Sequence, residues 1–250
     1  MSSAIRERVS LRPDITFGPF RYLEALPWLV LAAAMRVLAF GTPALAIIFI
    51  AFATIAVLNA FIVVTQRSIE VTGGHSGLGD LSLSEIFRLS LTILKWTVSL
   101  MVLAMLGALA ILGKAAPPMM LGIDGMAFAQ PTIAAMLWSA VIATLILLMI
   151  VEADRRGGRT SLLAVGPELM RHAVWLLAGI AALTASYVVL GALQDIVRDT
   201  LLQFWRTSPL NQLLKNLIMF VYIFSFAMLR LWMTLLVLTF ALKRSYVGTR

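Results

Sequence analysis

The chain has 250 residues, 61% of them hydrophobic and only 13% charged, with a mean hydropathy of +0.96. Soluble domains are about 45–50% apolar and about 25% charged, so this composition belongs to an integral membrane protein with no room for a separate soluble domain. The absence of cysteine excludes disulfides, thiol catalysis, iron–sulfur ligation and zinc–thiolate sites, and the net charge of +8 is dispersed among apolar runs, which points to anionic lipid headgroups rather than nucleic acid.

Residues 1–22 form a polar N-terminal segment carrying Arg6, Arg8 and Arg12. It has neither the short apolar core nor the small-residue cleavage site of a secretory signal, and it is expected to be retained in the cytoplasm. A transmembrane domain then occupies 23–242. The first apolar segment runs from about Leu23 to Phe40 and is interrupted by Glu24, Pro27 and Arg36. Gly41-Thr42-Pro43 turns the chain into a cleaner second segment, about Ala44 to Thr65, so the two read as a helical hairpin. The first segment can alternatively lie in the headgroup plane.

A polar, glycine-rich loop is expected from Gln66 to Leu83. Ser82-Leu83-Ser84-Glu85 spells a capping box, which starts the third helix near Leu83 and carries it to about Gly113. Lys95 lies early in its membrane part, where its long stem can return the amine to the interface. After a loop with Asp124, the fourth helix covers about Thr132 to Val151 and stops at Glu152-Ala153-Asp154-Arg155-Arg156-Gly157-Gly158.

Gly166-Pro167 precedes the fifth helix, which enters the membrane near His172 and runs to about Gly191. Beyond it, Leu193, Ile196, Val197, Leu201, Phe204 and Trp205 share one face, the pattern of an amphipathic helix near 193–205 resting on the membrane surface. Thr207-Ser208-Pro209 breaks that piece. The sixth helix contains the long apolar run Asn216 to Leu242 with Arg230 near its centre, and 243–250 is a short cytoplasmic tail. The expected fold is therefore all-α, with six transmembrane helices arranged as three hairpins.

Orientation follows from the basic residues between spans. With the N-terminus inside, the inner segments hold Arg6, Arg8, Arg12, Arg21, Arg67, Arg88, Arg155, Arg156, Arg159, Arg171, Lys243, Arg244 and Arg250. The outer segments hold only Lys114, Arg198, Arg206 and Lys215. Thirteen against four places both termini in the cytoplasm of a bacterial inner membrane.

Chemistry-bearing patterns are sparse. Gly74-His75-Ser76-Gly77 resembles the G-x-S-G string around the nucleophilic serine of rhomboid-type intramembrane proteases. The resemblance covers four residues, and it implies a serine that begins a membrane helix and pairs with a histidine such as His172. Here the next helix starts several residues later, so a flexible glycine loop is the expectation. Two histidines and no H-E-x-x-H offer no metal set, no phosphate-binding loop is present, and no cofactor is implied.

All twelve acidic residues fall at helix ends or in loops, which counts against a proton- or sodium-driven carrier. What remains is a set of polar residues inside the spans: Arg230, Lys95, Arg36 and Asn59. A cation near mid-membrane costs at least about 2.5–3.5 kcal/mol on insertion scales, so Arg230 needs a partner. Backbone carbonyls, Asn59, a tyrosine hydroxyl or an acidic group of another subunit would each serve. The expected function is a non-enzymatic accessory or scaffolding subunit of a larger membrane complex, with lipids and other membrane-protein subunits as partners. The alternative is a permease or lipid-handling protein whose anionic substrate binds Arg230.

Overall fold

The computed structural model describes residues 24–71, 77–112 and 133–248. The N-terminal segment 1–22, Gly74-His75-Ser76, the loop with Asp124 and the terminal Arg250 lie outside the described residues, as do the side chains of the tail. All regular structure among the described residues is helical. The helices are α1 (Leu26–Gly41), α2 (Ala46–Val71), α3 (Leu83–Leu112), α4 (Ile133–Arg155), α5 (Leu162–Arg171), α6 (Ala173–Thr207) and α7 (Gln212–Gly248). Five of them, α2, α3, α4, α6 and α7, are long and apolar enough to cross a membrane, while α1 is a shorter apolar helix. This is the construction of a multi-pass membrane protein.

Local chemistry sets the boundaries. Pro27 sits in the first turn of α1, where its missing N–H costs nothing. At the other end the Thr42 N–H and hydroxyl both donate to the Leu38 carbonyl, at 3.0 and 2.8 Å, and close the helix. The capping box forms as its sequence predicts: the Ser82 N–H donates to Glu85 Oε2 at 2.8 Å and the Ser82 hydroxyl to the same oxygen at 2.7 Å. Helix α4 closes with the Gly158 N–H on the Ala153 carbonyl at 2.8 Å, with Gly157 at φ 61°. That is a Schellman turn, and its left-handed position takes a glycine.

The core is built around α2 and α4, the most enclosed helices. Ala140, Ala143, Ile146, Leu147, Met149, Ile150 and Ala153 of α4 are buried, as are Leu58, Phe61 and Ile62 of α2. Helix α1 lies along α2, with Trp28 and Ala32 against Ala56 and Val57. Helices α6 and α7 form the other extensive pair, α6 rests on α4, and α3 packs mainly on α2.

Three expectations are corrected. The surface-lying helix near 193–205 is the second half of α6, continuous from Ala173 to Thr207. No proline or other breaker interrupts that stretch, and Val197 and Leu201 pack against Tyr222 and Ile223 of α7 instead of turning to a headgroup plane. Gly166-Pro167 does not open the next membrane helix; both residues lie inside α5, a ten-residue helix capped by Ser161, whose hydroxyl accepts the Ala164 N–H at 3.2 Å. Helix α4 runs to Arg155, one turn beyond the expected stop at about Val151, so Glu152 lies in its last turn, where it is buried and pairs with Arg156.

Candidate functional site

Helices α6 and α7 run back on each other from the turn at 208–211, where the Ser208 N–H closes α6 on the Phe204 carbonyl at 2.9 Å. Their antiparallel register can be followed along the whole pair. Gly179 lies against Ala241, so close that a Cβ on the glycine would stand 2.8 Å from the alanine Cβ. Further along, Tyr187 meets Arg230 and Thr234. The Tyr222 hydroxyl reaches the Gln194 carbonyl at 3.4 Å, and Lys215 Nζ donates to the Trp205 carbonyl at 2.9 Å. Small residues at the tight end let the two backbones approach, as membrane helices require when lipid is as apolar as their side chains.

The centre of this pair is the candidate site. The Arg230 guanidinium lies over the ring of Tyr187, 4.1 Å from its centroid, and Tyr187 is only 1% exposed. The ring's negative π face meets the cation where water is excluded, an interaction of about 2 kcal/mol when desolvated. The Thr234 hydroxyl donates to the Arg230 carbonyl at 2.7 Å, and 2.5 Å separates it from the Tyr187 hydroxyl. Threonine has a single proton and spends it on that carbonyl, so Tyr187 must be the donor to Thr234. A polar chain thus runs from Tyr187 through Thr234 to the backbone of Arg230, and its hydroxyl protons are committed to structure.

The other residues singled out in the sequence are placed elsewhere. Asn59 is fully buried, and its Oδ1 accepts the Ser90 hydroxyl of α3 at 2.5 Å. It therefore joins α2 to α3, while Arg230 joins α7 to α6. Its Nδ2 is buried and makes no hydrogen bond among the described residues. Arg36 is half-buried on α1, next to Val37 in the layer where α1 meets Tyr222 and Ile223. Lys95 is exposed on α3.

Sequence reasoning missed Tyr187, Thr234 and Ser90, the three hydroxyls that make these joints. One signal for Tyr187 existed: folding the chain back at Ser208-Pro209 sets residue 187 level with the early 230s. At the C-terminal end of α4, Asp154 Oδ1 accepts the Leu78 N–H at 3.2 Å and pins the turn Gly77–Asp80 to that helix. His172 is buried at the junction of α5 and α6. Among the described residues no group of three or more His, Cys, Asp or Glu is placed to hold a metal ion. No protein-family model matches the chain, and neither a curated protein nor a solved structure does.

Proposed function

We propose that this protein is a non-catalytic accessory or scaffolding subunit of a larger complex in a bacterial inner membrane. In this reading the chain crosses six times as three hairpins, α1 included, and both termini are cytoplasmic. The observation that carries it is the length of the α6–α7 pair. Helices of 35 and 37 residues are about 52 and 55 Å long, against a hydrocarbon core of roughly 30 Å. Even at a tilt of about 40°, the upper end of the usual range, they project about 40 Å along the membrane normal. The hairpin therefore reaches at least about 10 Å beyond the hydrocarbon. Its far end exposes Leu193, Ile196, Phe204, Leu213 and Leu217 beside Asp199 and Arg206, a mixed surface suited to another protein.

The spending of intramembrane polar groups on helix–helix joints supports the same reading, since Tyr187, Thr234, Asn59 and Ser90 are all used to fix one helix on another. The test is the mass and composition of the tagged full chain, extracted in mild detergent from its native membrane. A stoichiometric co-purifying complex is expected; a lone monomer or homo-oligomer in several detergents would refute the proposal. The second reading, a permease or lipid-handling protein with its anionic site at Arg230, draws on the position of that cation inside the bundle. It requires that Arg230→Leu abolish substrate movement while leaving any assembly intact.

A further inference from the structure

Helix α5, at ten residues and about 15 Å, is too short to span a membrane, yet its outer side is apolar. Leu163 is 86% exposed and Met170 78%, and Leu163 is the most exposed large hydrophobic residue among those described. Pro167 is exposed between them. The other side of α5 belongs to the core: Val165 is 1% exposed, and Leu162 and Leu169 pack on the cluster that contains Ile150 and Ala153 of α4. Exposed apolar side chains on α3 or α6 face lipid because those helices are of membrane-spanning length. For α5 the surroundings have to be read from its position and its chemistry.

Its position is the edge of the hydrocarbon. His172, with φ −108° and ψ 14°, leaves the helical region and separates α5 from α6. Helix α5 packs mainly on α4, so it stays beside the end of that helix instead of extending α6 away from the bundle. Helix α6 begins one residue later, and its exposed Val174, Trp175 and Leu177 follow Met170 within two turns. An exposed tryptophan at the start of a spanning helix marks the headgroup level. The apolar side of α5 therefore leads into the lipid-facing side of α6 at the depth where the hydrocarbon ends.

The chemistry names the occupant. Pro167 has no N–H to return to the Leu163 carbonyl four residues back, so that carbonyl needs another donor. Water in a headgroup layer supplies one; hydrocarbon and a dry protein interface do not. Arg159, three residues before the helix, and Arg171, its last residue, are both exposed. From Arg159 to Arg171 the chain holds these two arginines against one carboxylate, Glu168. Of the carboxylates just before, Glu152 is paired with Arg156 and Asp154 accepts the Leu78 N–H. We infer that α5 is an interfacial helix: its Leu163, Pro167 and Met170 side lies in the headgroup–acyl boundary of an anionic leaflet, and Arg159 and Arg171 hold lipid phosphates at its two ends. This stands apart from the subunit reading.

The test uses the full chain, reconstituted alone into vesicles of equal parts phosphatidylcholine and phosphatidylglycerol. With no native cysteine, Leu163→Cys and Met170→Cys each take a single spin label. Relaxation by oxygen against a water-soluble nickel chelate reads the depth of each label. Leu103→Cys, exposed on α3, and Asn211→Cys, in the turn after α6, are the references for hydrocarbon and water. Both α5 labels should lie about 5–10 Å into the boundary. A bimane label at Met170→Cys then reads headgroup preference, by quenching in vesicles where only one of the two lipids carries brominated chains. Phosphatidylglycerol should be favoured by about fivefold for each arginine, and Arg159→Gln combined with Arg171→Gln should abolish the preference.

Nickel accessibility at either α5 label equal to that at Asn211→Cys overturns the proposal. Shielding of both labels from both reagents overturns it too, since a second copy would then cover α5. Boundary depth with no phosphatidylglycerol preference, or a preference that survives loss of both arginines, overturns the roles of Arg159 and Arg171. None of these results bears on whether the chain purifies with a partner.

Discussion

Replacing Tyr187 separates the two interactions that hold α6 to α7 at the centre of the pair. Tyr187→Phe keeps the ring under the Arg230 guanidinium and removes only the hydroxyl donated to Thr234, which still bonds the Arg230 carbonyl at 2.7 Å. Interhelical hydrogen bonds in membranes average about 0.6 kcal/mol and reach about 1.7, so Tyr187→Phe should cost about 0.5–1.5 kcal/mol. Tyr187→Leu loses the same bond, about 2 kcal/mol of desolvated cation–π attraction, and roughly 0.5 kcal/mol for the volume left unfilled beneath the guanidinium. Its cost should be about 3 kcal/mol. The measurement is reversible unfolding of the purified chain in bicelles, with Arg230→Met completing a double-mutant cycle. A coupling energy of at least about 1 kcal/mol between Tyr187→Leu and Arg230→Met is expected. The reasoning fails if Tyr187→Phe costs as much as Tyr187→Leu, or if the cycle shows no coupling.

Gly179→Ala should destabilise the chain by about 1–3 kcal/mol, because the new methyl would stand 2.8 Å from the Ala241 Cβ and backbone-borne atoms cannot swing aside. Adding Ala241→Gly should restore most of that loss; unfolding midpoints of the single and double variants check it. At the α2–α3 joint, Ser90→Ala leaves a buried amide oxygen bare and should cost about 1–2 kcal/mol, whereas Asn59→Leu removes that acceptor together with the unused Nδ2 donor and should cost less. Equal losses, or the reverse order, in the same unfolding assay would contradict this account. The absence of cysteine makes single-cysteine variants clean topology reporters. Ser161→Cys should react with an impermeant maleimide only from the cytoplasmic side and Asn211→Cys only from the opposite side; labelling of both from one face would reject the orientation.

Legibility in the sequence followed the range of the interactions concerned. The capping box at Ser82–Glu85 and the long apolar helices are short-range properties, and the structure shows the box where the residues predict and five helices of membrane-spanning length. The amphipathic stretch near 193–205 departs from its sequence expectation for a physical reason. Periodicity reports that a helix has two faces and says nothing about what covers the apolar one; α7 covers part of it through Tyr222 and Ile223. Helix α4 outruns the expected stop at about Val151 because the carboxylate of Glu152, costly to bury alone, is offset by its pairing with Arg156 one turn on.

From the sequence alone came the class of protein, its long apolar helices and the capping of α3, since each depends on composition or on neighbours within a few residues. Tertiary structure decided which polar groups meet: Arg230 with Tyr187 and Asn59 with Ser90, while Lys95 is exposed on α3. The reason lies in the solvent. In water, apolar patterning marks the core, but lipid is as apolar as the inside of a helix bundle, so hydropathy does not set the rotation of a membrane helix about its own axis. That rotation is fixed by close packing, as at Gly179 and Ala241, and by hydrogen bonds between residues such as 59 and 90 or 187 and 234, which meet only once the helices have assembled.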